Sequence, residues 1–309
     1  MPKVTGVAGI FLKGPAPTVV RNLNGIRVYS PVRKCIYCRA TTYSPQRDKL
    51  GKEHVIPLAL DGQIILREAS CQACEKVINE FEGPLLRSTF RPLRFLLKLP
   101  TRGKNASRPV KPVFVPDENG DIVLPSGQRG RLIDIPLMDY PFSVELPVLP
   151  PCFMLSEPQG EKQVKWQTLS IPSNVELMKT KYNFRTVVIE GMDNTHFIRL
   201  LAKIAHAYAV AIVGLENLFP YLIDIIRGDL RRTSWFIGGP DYDTRQANAL
   251  WAMRPTCIAF EGKLHLVVRI ELFASFKAPV YHVVAGGLHS AHGVPAHGPL
   301  EWPEPHPSK

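Results

Sequence analysis

The chain has 309 residues, of which 45% are hydrophobic, and its formal net charge is +11. This length favours about two domains, and the hydrophobic fraction is typical of globular proteins rather than of disordered chains. The charge is unevenly distributed: residues 1–115 hold 20 Lys and Arg against 7 Asp and Glu, whereas residues 116–309 hold 18 against 20. A polyanionic partner is therefore expected to bind the N-terminal third.

The pattern of apolar residues disfavours both membrane insertion and secretion. The longest apolar run, residues 200–215, is interrupted by Lys203 and His206, so no transmembrane span is expected. The apolar stretch of residues 7–12 is short for a signal peptide and is followed by Lys13. We therefore predict a cytoplasmic protein, in which paired cysteines indicate metal binding more than disulfides.

In chain order, the first two predicted units are an N-terminal segment and a cysteine-bearing region. Residues 1–30 are predicted to be extended, because Pro15 and Pro17 discourage a helix. Residues 31–112 then contain two C-x-x-C pairs, formed by Cys35, Cys38, Cys71 and Cys74. Four thiolates fill the tetrahedral coordination of Zn²⁺ completely, so these cysteines are predicted to bind a structural zinc ion.

The segment between the two pairs contains the candidate catalytic residues. It includes the sequence EHVIP at residues 53–57, a predicted turn at Asp61-Gly62 and a predicted strand at residues 64–66. A helix is predicted to follow, with Ser70 as its N-cap and Phe81 near its end. The predicted order of strand, turn, strand and helix describes a ββα unit with cysteine pairs at its two ends.

Together these motifs resemble the zinc-stapled HNH endonucleases of the ββα-metal group, and the resemblance covers residues 34–108. It implies that His54 is the general base, that Glu53 is a ligand of a catalytic divalent ion, and that cleavage leaves a 5′-phosphate. The sequence departs from the family at two points. Glu75 stands where Asn or His is usual, and the central Asn ahead of the second cysteine pair is absent.

Elementary chemistry supports these roles. Phosphodiester hydrolysis needs a deprotonated water and a cation that neutralises charge on the phosphate, and an imidazole base contributes about 10²–10⁴-fold. His54 is the only His in the basic region; the alternatives are that it packs in the module or binds zinc. Spacings of four and three place Glu75, Asn79 and Glu82 on one helical face. We predict that Glu53, Glu75 and Asn79 bind Mg²⁺ or Mn²⁺. The alternative for the helix is a solvated polar face.

A basic helical extension is predicted over residues 85–99, where cationic residues recur every three or four positions beside an apolar stripe. Pro92 is expected to divide it into two short helices. The predicted nucleic-acid-binding residues are Arg87, Arg91, Arg94, Lys98, Arg102 and Lys104.

Residues 113–285 are predicted to form a larger α+β domain. Its predicted strands are residues 143–149, 163–169, 185–190, 264–274 and 280–285, and its predicted helices are residues 194–213 and 220–227. The polar residues of the longer helix, His196, Arg199, Lys203 and His206, are attributed to its solvated side. Residues 286–309, rich in His, Pro and Gly, are predicted to be a disordered tail.

The predicted fold class is therefore α+β, with an N-terminal ββα-metal module stapled by a zinc ion on four cysteines and followed by a larger α+β domain. The favoured function is a metal-dependent endonuclease whose partner is nucleic acid, double-stranded DNA more than RNA. One alternative is a non-catalytic zinc-dependent module that binds nucleic acid. Another places the function in residues 113–285, which could also contact a protein partner or a second copy, with the zinc module as a docking platform.

Overall fold

The computed structural model describes residues 19–23, 25–100, 110–115, 131–137, 139, 143–156, 165–170, 180–182, 192–239 and 249–289. Over these residues the chain has mixed α+β structure, with two larger sheets, two separate hairpins and one long central helix. The predicted α+β class is confirmed at this level. The side chains of Arg102 and Lys104, and the strand predicted at residues 185–190, lie outside the described residues.

The first sheet carries the segment between the cysteine pairs. It contains β1 (Val19–Leu23), β2 (Ile26–Pro31), β3 (Gly51–His54) and β4 (Ile64–Ser70) in the order β1-β2-β4-β3. Strand β4 pairs with β3 in antiparallel and with β2 in parallel orientation. Of the predicted N-terminal segment, the structure describes residues 19–23 and 25–30, and these supply two strands of the sheet that contains His54.

Two helices and a π-helical turn follow this sheet. Helix α1 (Gln72–Pro84) begins after Cys71, which has an extended backbone. The predicted N-cap Ser70 is wrong, because its hydroxyl donates to the Glu75 carboxylate, 2.9 Å away, instead of accepting from the first turn. The π-helical turn (Leu85–Thr89) and helix α2 (Arg91–Leu96) then meet at Phe90. Pro92 lies in the first turn of α2, where a missing N–H costs nothing.

The second sheet is antiparallel and forms the C-terminal half. Its strands are β9 (Leu218–Pro220), β10 (Ile237–Gly238), β11 (Trp251–Phe260), β12 (Lys263–Leu272) and β13 (Val280–Leu288). The order is β10-β13-β12-β11, and β9 pairs with β13. Residues 286–288, predicted to begin the disordered tail, instead belong to β13, where they pair with β9.

Two hairpins lie between these sheets along the chain. One pairs β5 (Val110–Val115) with β6 (Arg131–Pro136), and the other pairs β7 (Ser143–Val148) with β8 (Lys165–Ser170). The bounds of β7 and β8 fall within two residues of the strands predicted from the apolar runs.

Helix α3 (Asn194–Val213) has the predicted bounds and is capped by Asp193, whose carboxylate accepts from the His196 N–H at 3.2 Å. Helices α4 (Ile223–Arg227) and α5 (Thr233–Phe236) follow it. By length and composition α3 could cross a membrane, but 89% of its apolar window is buried inside the protein.

Helix α3 joins the two halves, because it packs against α1 on one side and against β12 and β13 on the other. A single cluster of buried apolar side chains runs from Ile36 and Phe81 through Leu201 to Val268 and Tyr281. Buried apolar residues from both sides of residue 112 belong to this one cluster. The domain boundary predicted there stays a prediction. The site near His54 is therefore built from both halves of the chain.

Candidate functional site

The four paired cysteines converge on one point. Their Sγ atoms all lie within 4.8 Å of one another, and those of Cys38 and Cys71 are 3.5 Å apart. Zn–S bonds of about 2.3 Å in a tetrahedral site separate the sulfur atoms by roughly 3.8 Å. The cluster therefore fits a metal ion such as zinc. A structural ion there would connect the turn at Cys35 to the first turn of α1.

Local backbone contacts shape both halves of this cluster. The Cys35 N–H donates to the carbonyl of Ala40, 2.7 Å away, and Arg39 has a left-handed backbone with φ 67° that tightens the turn. A hydrogen bond from the Cys74 thiol lowers the pKa of Cys35 to about 5. The same hydrogen bond raises the pKa of the Cys74 thiol, so Cys35 loses its proton before Cys74. The thiolate is the form of cysteine that binds a metal ion.

Strand β3 separates the two candidate catalytic side chains. Its residues alternate in burial, with Gly51 and Glu53 buried, Lys52 exposed and His54 half-buried. Because successive side chains of a strand point to opposite faces, Glu53 faces the core, whereas His54 faces the outer side of the sheet with Lys52. The predicted base and the predicted ligand are adjacent in sequence but lie on opposite faces.

Glu53 belongs to a buried cluster of charges whose centre is Lys203 of α3. The Lys203 ammonium lies 2.7 Å from the Glu53 carboxylate and 3.0 Å from that of Glu82. It also donates to the backbone carbonyls of His54 and Val55, the latter at 3.3 Å. The Lys203 side chain is only 1% exposed. One ammonium group therefore contacts four oxygen atoms from β3, the loop after it and α1.

The charges in this cluster depend on one another. Burial raises the pKa of Glu53 to about 7, although Lys203 opposes the shift. Burial also acts to lower the pKa of Lys203, but the carboxylates of Glu53 and Glu82 outweigh it and raise the pKa above its usual value. Burial, together with the same two carboxylates, raises the pKa of the Tyr37 phenol well above its usual value. Lys203 is therefore the cation that permits two carboxyl groups to be buried here.

The other two predicted metal ligands have different surroundings. Glu75 accepts hydrogen bonds from the Tyr43 hydroxyl at 2.7 Å and from the Ser70 hydroxyl at 2.9 Å. Its carboxylate lies against Gly51, where a Cβ atom would come within 2.2 Å of the nearer oxygen. Asn79 is exposed on α1. Glu75 thus fixes the loop after the first cysteine pair to the start of α1.

Glu53, Glu75 and Asn79 do not fit the predicted Mg²⁺ or Mn²⁺ ion in this arrangement. Glu53 contacts Lys203, Glu75 contacts two hydroxyl groups and Asn79 faces solvent. Among the residues that the structure describes, the four cysteines are the only group of three or more His, Cys, Asp or Glu side chains whose ligand atoms converge. A catalytic divalent ion stays a prediction.

The attribution of the polar residues of α3 to solvation is wrong for three of the four. Arg199, Lys203 and His206 are all buried. Arg199 donates to the Ile226 carbonyl at 2.9 Å and lies over the Phe81 ring at 4.6 Å. His206 contacts the Ile36 carbonyl at 2.8 Å, and burial lowers its pKa to about 4, so its ring is neutral. The sequence signal for their burial was that the remaining residues from Phe197 to Val213, apart from Tyr208, are all apolar.

The cationic residues of the basic extension (residues 85–99) differ in their exposure to solvent. Arg87 and Lys98 are exposed, and Arg91 is half-buried. Arg94 donates to the carbonyls of Ala59 and Leu86 at 2.9 and 2.8 Å, so its guanidinium fixes the segment to the loop before β4. The Arg94 guanidinium thus contacts backbone carbonyls of the protein itself, a structural role that the sequence analysis did not give it.

Comparison of the chain with protein-family models, with curated proteins and with solved structures gave no match. The function is therefore inferred from the geometry of the site.

Proposed function

We propose that the protein is a zinc-stapled endonuclease of the ββα type that hydrolyses phosphodiester bonds of nucleic acid, with His54 as general base. The observation that carries the proposal is the position of His54. It ends β3 on the outer face of the sheet, half-buried, while its own carbonyl accepts from the buried Lys203. The order of β3, β4 and α1 and the convergent cysteines support the same class.

The chemistry requires a neutral imidazole and a water molecule at this position, a cationic group beside the phosphate, and a proton for the leaving oxygen. His54 removes a proton from the water, whose oxygen attacks the phosphorus atom. The bond from phosphorus to the 3′-oxygen breaks, this oxygen takes up a proton, and the product carries a 5′-phosphate. A half-buried imidazole is suitable, because it keeps contact with solvent while its backbone is fixed.

Cationic side chains on the same sheet face would hold the phosphates. Lys52 is exposed two residues before His54. His54 is paired with Ile65, and Arg67, two residues further along β4, is half-buried on the same face. This arrangement supports nucleic acid lying across the outer face of the first sheet, with Lys52 and Arg67 on neighbouring strands, both on the same side of the base.

The test is nicking of supercoiled plasmid by zinc-loaded full-length protein, in buffer with Mg²⁺, with Mn²⁺ and with neither. His54→Ala is expected to lower the cleavage rate by about 100-fold or more, as loss of a general base does, without change in zinc content. His289→Ala is the matched control, since His289 is exposed at the end of β13. Cleavage by His54→Ala at the wild-type rate would contradict the proposal.

Charge reversal on the outer sheet face tests the binding surface. For duplex DNA, each phosphate that the protein ceases to neutralise reduces the steepness of log affinity against log salt concentration by about 0.9. The double variant Lys52→Glu with Arg67→Glu is therefore expected to reduce this steepness by about 1.8. The comparison is Arg87→Glu with Lys98→Glu on the helical extension, measured by fluorescence anisotropy. A larger reduction in this second pair would place the DNA on the extension instead.

A second candidate function is the non-catalytic nucleic-acid-binding module. The observation that favours it is the contact of Glu53 with Lys203, because the predicted divalent-ion ligands do not converge. This candidate predicts salt-dependent binding of nucleic acid, with no cleavage by the wild-type protein under any of the three metal conditions. The same plasmid assay therefore distinguishes the two functions.

A further inference from the structure

We propose that Lys203 is a built-in cation of this site: its ammonium group lies between Glu53 and Glu82, where a divalent ion would otherwise bind, and it positions the backbone of His54. The contacts of the Lys203 ammonium group support the cation site independently of the proposed function. Its consequence for cleavage rests on the proposed function, in which His54 is the base.

The oxygen atoms around Lys203 are of the kind that binds a hard divalent cation. Two are carboxylate oxygens, from Glu53 and Glu82, and two are backbone carbonyl oxygens, from His54 and Val55. Carboxylate and carbonyl oxygens are the usual ligands of Ca²⁺ and, with water, of Mg²⁺. Here the nitrogen of one lysine takes the central position.

The burial of these three side chains determines what happens when the ammonium group is removed. Lys203 is 1% exposed, Glu53 is 7% exposed and Glu82 is 13% exposed at their side chains. Two ionised carboxylates are strongly destabilised side by side in a buried site without a positive charge, since removing one partner of a buried ion pair leaves an uncompensated charge. If Lys203 is shortened, the vacated space and the two carboxylates form a site that a divalent cation can fill.

The same ammonium group fixes the end of β3. The carbonyls of His54 and Val55 both accept from it, so the direction in which the chain leaves β3 depends on α3. The His54 side chain starts from this backbone. Lys203 is therefore a positioning residue for His54, supplied by a helix about 150 residues later in the chain.

The binding test uses Mn²⁺ alone as the probe, on zinc-loaded full-length protein. Electron paramagnetic resonance counts the bound Mn²⁺, and thermal unfolding gives the midpoint with and without it. We expect Lys203→Ala to bind one more Mn²⁺ per chain than the wild type and to recover, with Mn²⁺, part of its lowered midpoint. Lys203→Ala with Glu53→Gln should lose both effects. Equal Mn²⁺ binding by Lys203→Ala and the wild type would overturn the proposal.

A second variant keeps the proposal testable if Lys203→Ala does not fold. Glu53→Gln in the wild-type background retains the ammonium group. If Lys203 is the resident cation, Glu53→Gln leaves the Mn²⁺ affinity of the protein unchanged. If Glu53 is a ligand of a divalent ion in the wild type, the affinity falls, and the proposal is wrong.

Two further readouts separate this proposal from the proposed function. The His54 Cε1–H resonance, assigned by its loss in His54→Ala, should shift in Lys203→Ala and return towards its wild-type position with the diamagnetic ion Mg²⁺, which takes the same oxygen ligands. In the plasmid assay, the wild type should cleave equally with and without added divalent ion, whereas Lys203→Ala should need it. Wild-type cleavage that requires Mg²⁺, together with loss of Mn²⁺ affinity in Glu53→Gln, would reject the built-in cation but keep the nuclease. If Mn²⁺ binds as expected but no plasmid is cleaved, the built-in cation is supported and the nuclease function is rejected.

Discussion

Removal of the metal from the four-cysteine cluster is expected to unfold the protein, not only to loosen the N-terminal third. Structural zinc sites contribute about 10–16 kcal/mol at neutral pH in small peptides. The net stability of a domain is only about 5–15 kcal/mol. A strong chelator should therefore abolish cooperative thermal unfolding, as measured by circular dichroism.

The loss of structure should extend beyond the N-terminal third, because residues of the cysteine cluster contact helix α3. Ile36 and Tyr37, between the first two cysteines, are both buried. The Ile36 carbonyl contacts His206 of α3 at 2.8 Å, and the rings of Tyr37 and His206 are 5.5 Å apart. When the turn at Cys35 opens, His206 loses its buried partner. Hydrogen exchange should then show lost protection in α3 as well as in α1.

Two cysteine variants provide the control. Cys71→Ser should lose the metal and behave like the chelated protein. Cys257→Ala should keep the metal, since Cys257 is a lone buried thiol in β11 whose pKa burial raises to about 12. Zinc content by mass spectrometry and the thermal midpoint are the two measurements. An unchanged midpoint after complete removal of the metal would contradict a structural role for the cluster.

Gly62→Ala is expected to cost about 3 kcal/mol of unfolding free energy, at the upper end of the range for overpacking. A Cβ atom at this position would lie 1.8 Å from the Ile56 carbonyl oxygen. Backbone atoms cannot yield as a flexible side chain does, so the loop between β3 and β4 must move. The Gly62 N–H donates to the Pro57 carbonyl at 3.2 Å, and the Trp251 indole donates to the Asp61 carbonyl at the same distance. The displacement should therefore reach both β3 and β11.

Gly262→Ala is the matched control for this effect. Gly262 lies in the turn between β11 and β12 with φ +72°, and a Cβ atom there would meet open space. Its cost is only that of a left-handed backbone, about 1–2 kcal/mol. Urea unfolding of the two zinc-loaded variants gives the comparison. If Gly62→Ala costs no more than Gly262→Ala, the close packing of the loop after His54 is wrong.

The end of β3 is held from two directions. The four-cysteine cluster joins the turn at Cys35 to the start of α1, and Lys203 of α3 donates to the carbonyls of His54 and Val55. Glu82 of α1 contacts the same lysine at 3.0 Å. His54 thus lies on a short strand whose supports come from separate parts of the chain.

The sequence by itself determined the features that depend on short spacings. The two C-x-x-C pairs predicted a convergent cluster, because each pair presents its thiolates from one turn. The apolar periodicity of residues 194–213 predicted α3 with its observed bounds. Short apolar runs predicted both ends of β7, β8 and β12 to within two residues, and the first residue of β13. These are local rules, in which neighbours in the chain decide the structure.

Only the tertiary structure decided where the polar residues of α3 lie. Periodicity shows that Arg199, Lys203 and His206 share a side of the helix, but not whether that side meets water or another element. The answer depends on α1 and on the loop at Ile36, each more than 100 residues away in the chain. For the same reason the sequence placed Glu53 with a divalent ion, because the cation that contacts it belongs to a helix about 150 residues later. Burial of charge is a property of the assembled core, since a charged side chain can be buried only where an opposite charge or a hydrogen-bonding partner meets it.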